Sequence, residues 1–444
     1  MDKRINKIAN FFLDKELIAR DLSINKLVEI NKKFKIRNKI ACFPDLNFKI
    51  KNYVPSGTAI QIKNNFAPIL LGNPNDAMTV LKIKTKKKLS DEDINFIFNS
   101  LKKKVAIFRR KKVSVDKNIS KDILTNGIKN VISKWGFNEN DLKKFQYNGY
   151  AETFKDFEKL KKVFPKKRPK GLGKHIVTSN ILESSRKCLG VLDGTSHFIE
   201  LYKYKSSLNK KYTKFLGLNK NDYYMVIHAG SADPGLVIQQ YLINKKNKTF
   251  SINTRKGKDA YYLLNAAANF GFANRLYISK IIKEVFFKRF AFETKVEIFV
   301  DNNHDFLDFK KISKIFTHRK GAVKINPGRK SIWKKTGDPY FLPSYVGGNG
   351  FILSNFKGNT KAFFCSSHGV GRFLNKTETL KKFNKIDFNK SLDNKIMLFR
   401  YGKDKIKSQN PKAFKNINLV LKSFKKFNLA FPISLLKPIA SLKA

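Results

Sequence analysis

Apolar and polar residues alternate along FPDLNFKIKNYVPSGTAIQI (43–62), the two-residue rhythm of half-buried strands. APILLGNPNDAMTVLKIKT (67–85) predicts a strand, a tight turn closed by Asp76, and a second strand. The first 40 residues read as a helical, basic lead-in. From Leu89 to Phe164 the pattern turns helical with charged faces, and Ser90 before Asp91 and Glu92 is an N-cap signature. KKVFPKKRPKGLGKH (161–175) is a loop. In the second half, LGVLDGTSHFIELYKY (189–204) and YYMVIHAGS (223–231) predict strands, and Asp259–Phe290 a long helix whose small residues allow close packing. KVEIFVDNNHDFL (295–307) predicts a strand ending in a polar turn, and KAFFCSSHGVGR (361–372) a strand running into a glycine-flanked loop. No internal repeat is present.

Hydrophobic residues make up 42% of the 444, with 40 phenylalanines, so a sizeable core forms and compositional disorder is excluded. Lys+Arg is 91 against Asp+Glu 34, a formal charge of +57. Abundant Lys, Asn, Ile and Phe match an AT-rich coding bias. Whatever its origin, the charge attracts polyanions, with nucleic acid the default partner and a membrane surface the rival. Cys42, Cys188 and Cys365 give no disulfide framework or CxxC pair, which points to a reducing compartment. No secretory leader and no apolar run of about 18 residues is evident, so a cytoplasmic protein with no membrane partner is expected.

Histidine is scarce, at six. Four occur in Gly-, Asp- or Ser-rich strings: GTSHFIE (His197), IHAGSADPG (His228), VDNNHDFL (His304) and SSHGVGR (His368). Three come near strand ends, where a rigid scaffold tends to carry chemistry. His318 stands beside Arg319 and Lys320 in HRKGA; His175 lies in a basic loop and reads as structural. Imidazole binds metals and can carry a phosphoryl or nucleotidyl group.

HRKGA, SSHGVGR, GTSHFIE, LLNAAANFGFANR and IHAGS, in this order, resemble the HRKGA, CHGAGR, GNHFIE, AAANYAFANR and HSGSRG strings of the RtcB family of GTP-dependent RNA ligases. GNPNDAMTV resembles that family's GYDINCGV, PDLNFKI its PDVHPGYGF, NPKAFKNI its APEAYKDV, and the terminal PIASLKA its PVGVVKG. The resemblance covers nearly the whole chain. It implies one large α+β domain over residues 1–444, with a mixed or antiparallel sheet core and a deep active-site cleft formed by loops.

The resemblance also implies chemistry. GTP guanylylates a histidine, GMP passes to an RNA 3′-phosphate, and a 5′-hydroxyl attacks the activated end; 2′,3′-cyclic phosphates are opened first. His368 would be the nucleophile. Asp76, His197, His228 and His304 would bind one or two Mn²⁺ ions. Ser196, Glu200, Gly369, Gly371, Arg372, Phe414 and Lys443 would contact GTP, with Phe414 stacking on guanine or serving only as packing. His318, Arg319 and Lys320 would clamp phosphate or form a solvated turn. Thr79 stands where the family has a metal-bridging cysteine, as a weak ligand or an ordinary strand threonine. Asn47 replaces a family histidine, and Ser196 a family asparagine. The expected partners are GTP and RNA, acted on by a monomer in tRNA splicing or RNA repair. The alternatives are an RNA-end-binding protein that kept the fold without full catalysis, and a metal-dependent phosphoesterase on the same scaffold.

Overall fold

The computed structural model describes residues 3–18, 20–34, 36–48, 53–107, 114–173, 176, 178–192, 196–245, 248–385, 387–401 and 406–443; His175 lies outside them. Twelve strands form one large curled sheet. They are β1 (Ala9–Phe11), β2 (Ile40–Asn47), β3 (Ser56–Lys63), β4 (Asp76–Thr85), β5 (Phe198–Ser207), β6 (Tyr223–Ala229), β7 (Thr294–Lys310), β8 (Ile315–Lys320), β9 (Tyr340–Leu342), β10 (Gly350–Ser354), β11 (Met397–Arg400) and β12 (Phe431–Lys443). The spatial order is β1-β2-β3-β8-β7-β4-β6-β5-β12-β10-β9, with β11 beside β12. β1/β2 and β11/β12 pair parallel and the other neighbours antiparallel. The sheet is therefore mixed and the fold α+β.

The central strands are buried on both faces. Leu81, Ile83, Ile199, Leu201, Met225 and Ile227 face a helical layer that includes α1 (Asp91–Lys104), α2 (Lys117–Asn126) and α3 (Arg255–Phe290). The alternate residues, Met78, Val80, Phe198, Tyr202, Tyr224 and Val226, face the opposite side. Ser90 caps α1 in a reciprocal box with Asp93, as the sequence predicts. The alanines, Gly271 and phenylalanines of α3 bury its middle turns.

Three expectations need correcting. Residues 67–71 hold a short 3-10 turn at Pro68–Leu70, because Pro68 has no N–H for a ladder. The polar residues Asn302-Asn303-His304 do not end their strand. β7 runs on to Lys310, with a register shift between Asn303 and Asp305 that accommodates His304 as an extra residue. The lead-in is not all helical, since β1 interrupts it.

Candidate active site

Asp76, His197, His228 and His304 come from four neighbouring strands, in the sheet order β7-β4-β6-β5. Asp76 opens β4 after Asn75, which holds a left-handed φ of 57° that asparagine tolerates. His197 immediately precedes β5, and His228 lies next to the end of β6, opposite both Met78 and Phe198. His197 Nε2 is 3.1 Å from Asp76 Oδ2, and His228 Nε2 is 3.4 Å from Asp76 Oδ1. The ligand atoms of these three residues lie within 4.8 Å of one another. His304 Nε2 is 3.9 Å from Asp76 Oδ1.

The group fits a divalent cation on its own features. Asp76 Oδ1, His228 Nε2 and His304 Nδ1 are buried without a hydrogen-bond partner, so these donor atoms are available to a cation. Burial pushes the His228 pKa down to about 4, and burial together with His368 pushes that of His304 well below the ordinary value. Both rings are then neutral near pH 7, with lone pairs to give. Burial opposes ionisation of Asp76, but His197 and His228 outweigh it and hold the carboxyl well below its usual range. Imidazoles with one carboxylate suit Mn²⁺ or Zn²⁺ better than Ca²⁺.

α3 braces this group from behind. Arg275 is fully buried and donates to both carboxylate oxygens of Asp301, at 2.6 and 3.0 Å, to Asn75 O at 2.8 Å and to Ala229 O at 3.2 Å. One guanidinium thus ties the residue before Asp76, the residue after His228 and a residue three before His304. Asn274 donates to Gly230 O at 2.9 Å, and Asn75 to Ala268 O at 2.6 Å.

His368 follows the short strand Cys365–Ser367. Its ring lies 4.5 Å from that of His304 and 6.4 Å from that of His228. Its Nδ1 meets Asp45 Oδ2 at 2.6 Å and Gly321 O at 3.0 Å. Both partners are acceptors, so Nδ1 carries the proton and Nε2 of the neutral ring keeps its lone pair. Burial disfavours charge on this ring, yet the hydrogen bond and charge of Asp45, helped by Asp305, raise its pKa above the ordinary value.

Beside it lies a cavity of about 160 Å³ whose lining includes His228, His368, Ser196, Glu200, Gly369, Gly371, Arg372, Phe414 and Lys443. Glu200 is held by Tyr202 Oη–H at 2.6 Å and Ser441 Oγ–H at 2.9 Å, with Lys443 Nζ 3.8 Å away. Arg372 stacks 4.5 Å above the Phe414 ring and donates to Leu374 O, Thr379 Oγ1 and Ser408 O. An aromatic face, a buried carboxylate and two cations in one cavity suit a phosphorylated nucleoside.

Three expected residues, Thr79, His318 and Arg319, lie elsewhere, and a fourth, Lys320, stays close enough to His304 to act on its charge but is committed to an ion pair. Thr79 points to the helical side of β4 and donates to Asp301 at 2.6 Å; period-two alternation puts Met78 on the site face instead. His318 is buried, accepting from Ala67 N–H at 2.9 Å with Nδ1 3.3 Å from Ile60 O. Arg319 is fully buried against Asp308, Asn303 and Ala322, so it clamps strands, not phosphate. Lys320 is paired with Asp305.

Sequence reasoning missed Asp45, Met78, Tyr345 and Gln409, all of which line the cavity. Only Asp45 carried a signal, as an acid inside an otherwise apolar strand pattern. It also missed Lys415, buried under three carbonyls (Leu17, Pro44 and Leu46, at 2.6–2.8 Å), which pins the backbone on both sides of Asp45. Burial lowers the Lys415 pKa to about 8.

A family model described as tRNA-splicing ligase RtcB matches residues 26–444. The chain is 25% identical over 327 residues to the tRNA-splicing ligase RtcB of Thermococcus kodakarensis, covering 67% of each. It is 24% identical to the protein of that name from Pyrococcus abyssi, over 67% of this chain and 35% of the relative. The Methanococcus maripaludis protein is 24% identical over 60% of this chain and 62% of its own length. The chain thus spans from about a third to two thirds of the length of these relatives. With a match that begins before β2 and runs to the last residue, the chain belongs to the RtcB family.

Proposed function

We propose that this protein is a GTP- and Mn²⁺-dependent RNA ligase. It joins a 3′-phosphate or 2′,3′-cyclic phosphate end to a 5′-hydroxyl end through a guanylylated His368. The observation that carries this reading is the pair of acceptors on His368 Nδ1, which leaves Nε2 nucleophilic beside the cavity that holds Glu200, Arg372 and Phe414 and beside the Asp76 group. In the first step Nε2 forms a bond to the α-phosphorus of GTP, and the bond from that phosphorus to the pyrophosphate oxygen breaks. The RNA 3′-phosphate then displaces the imidazole and takes the GMP. Attack by the 5′-hydroxyl expels GMP and closes the phosphodiester.

Asp76, His197, His228 and His304 would hold one Mn²⁺, which supplies charge neutralisation and Lewis acidity at the phosphates. Thr79 faces away, so we read the centre as mononuclear. Asp45 orients the His368 ring and stabilises the positive charge that the ring would carry while Nε2 is bonded to phosphorus, a charge that is lost when GMP departs. Phe414, backed by Arg372, offers a stacking face to guanine, and Glu200 an acceptor for its N–H edge.

The test is incubation with α-labelled GTP and Mn²⁺, then addition of RNA bearing the stated ends. We expect an acid-labile, base-stable protein adduct, joined RNA, and loss of both in His368→Ala. Phosphate release without joining would favour the phosphoesterase alternative. RNA binding without an adduct under any divalent ion would favour the binding protein.

A further inference from the structure

Two more cavities share the side chain of Tyr147. One, of about 190 Å³, is lined by Asn302, Trp333, Lys143, Lys144 and Lys330 among others. The second, of about 560 Å³, is lined by Lys39, Lys310, Lys324, Lys361, Phe363 and Phe364 among others. Lys330 Nζ lies 5.4 Å from the Phe364 ring centroid, so side chains lining the two cavities are neighbours.

Lysine is everywhere in this chain, so charge alone singles nothing out. Asn302 does. It sits in β7 opposite Met78, is 3% exposed, and neither atom of its carboxamide has a hydrogen-bond partner. Burying such a group unpaired is destabilising, and a ligand or water that pairs with it resolves the cost. A carboxamide offers one donor and one acceptor side by side, which matches the edge of a nucleobase. Half-buried Trp333 adds an aromatic face. Lys143 and Lys330 are exposed and form no ion pair among the described residues.

The cavities also lie close to the chemistry. Strand Ala322–Lys324 pairs antiparallel with Cys365–Ser367. One end of this ribbon holds Gly321 and His368, and the other holds Lys324 and Phe364, on the order of 10 Å away at about 3.3 Å per residue.

We propose that this groove binds a single-stranded arm of the RNA substrate, with Asn302 hydrogen-bonding one base, Trp333 stacking on a base, and Lys143 and Lys330 on the phosphates. The choice of RNA rests on the ligase reading above.

The test uses the full chain and two 3′-phosphorylated probes: an oligoribonucleotide of about 20 nucleotides, which can fill the groove, and a dinucleotide, which cannot. We expect the long probe to quench tryptophan fluorescence, and Trp333→Phe to abolish most of the quench, since the other tryptophan, Trp135, is buried. Asn302→Ala, and separately the double variant Lys143→Gln/Lys330→Gln, should each weaken the long probe about fivefold to tenfold and leave the dinucleotide unchanged. The double variant should also flatten the salt slope by about 1.4. Thermal unfolding of Asn302→Ala should be unchanged or higher, because no hydrogen bond is lost. Unchanged long-probe affinity in either variant, or equal weakening of both probes, overturns the groove. GTP adduct formation by the same preparations separates the two readings. A missing adduct with an intact groove effect sinks the ligase reading alone, and an adduct without the groove effect sinks the groove alone.

Discussion

Asp45 and His368 sit 323 positions apart in sequence and 2.6 Å apart in space. That contact sets the tautomer, so it is the residue pair most exposed to test. In Asp45→Asn the amide can donate to Nδ1 and move the ring proton to Nε2, removing the lone pair. The rate of guanylylation should fall by a factor on the order of 10³–10⁴, with Mn²⁺ binding retained in calorimetry; retention of the wild-type rate would remove Asp45 from its positioning role. A second residue-scale prediction separates the two faces of β4. Met78→Cys places a thiol on the site face and should tighten Mn²⁺ binding. Thr79→Cys, on the face that meets Asp301, should not. Calorimetric titration of both variants decides this, and the reverse ranking would contradict the assignment of faces.

The site is an arrangement of elements before it is a set of side chains. Four adjacent strands present their ligands at one end, and α3 holds three of the four segments through Arg275. Replacing Arg275 with Met leaves the Asp301 carboxylate buried and unpaired, which is destabilising by about 3–5 kcal/mol. It should also weaken Mn²⁺ affinity, because the segments before Asp76 and after His228 lose their common anchor. Denaturant unfolding and metal titration check the two effects; a stability loss with unchanged metal affinity would confine Arg275 to folding.

Much of this element plan was legible. A period-two run announced β2 and β3, further strand-like runs announced β4 and β6, and the small residues of α3 announced a closely packed helix. β7 was misread because buried site residues are polar, so Asn302-Asn303-His304 imitates a turn. β12 went unread as a strand, since Pro438 and a polar interruption hide a segment buried between two others. HRKGA was misread for the opposite reason. A basic string suggested phosphate, but long-range partners such as Asp308 and Asp305, invisible to local reading, neutralise it inside the fold.

At the scale of the whole molecule, the charge of +57 coexists with a core that keeps several histidines neutral. Burial takes His228 and His318 down to about 4 from an ordinary 6.5, and His304 falls well below that ordinary value. The unfolded chain takes up protons first as pH drops, so the metal-free protein should lose stability progressively from about pH 6.5 toward pH 4. His368, whose pKa is raised, contributes in the opposite sense, but its stabilisation builds up above pH 6.5, as pH falls toward that value, and is constant below it, so it does not offset the fall. Thermal melts across that window with chelator present should show a falling midpoint; a flat profile would contradict neutral burial of these rings.

The most direct measurement is to treat the protein with GTP and Mn²⁺, map the guanylylated peptide by mass spectrometry, and assign the bonded nitrogen by phosphorus NMR. The result expected is GMP on His368 through Nε2, absent when Asp76 is replaced by Ala. A label on a lysine or on His368 Nδ1, or no label with any divalent ion, would contradict the convergence of Asp76, the three histidines and His368 on one reaction.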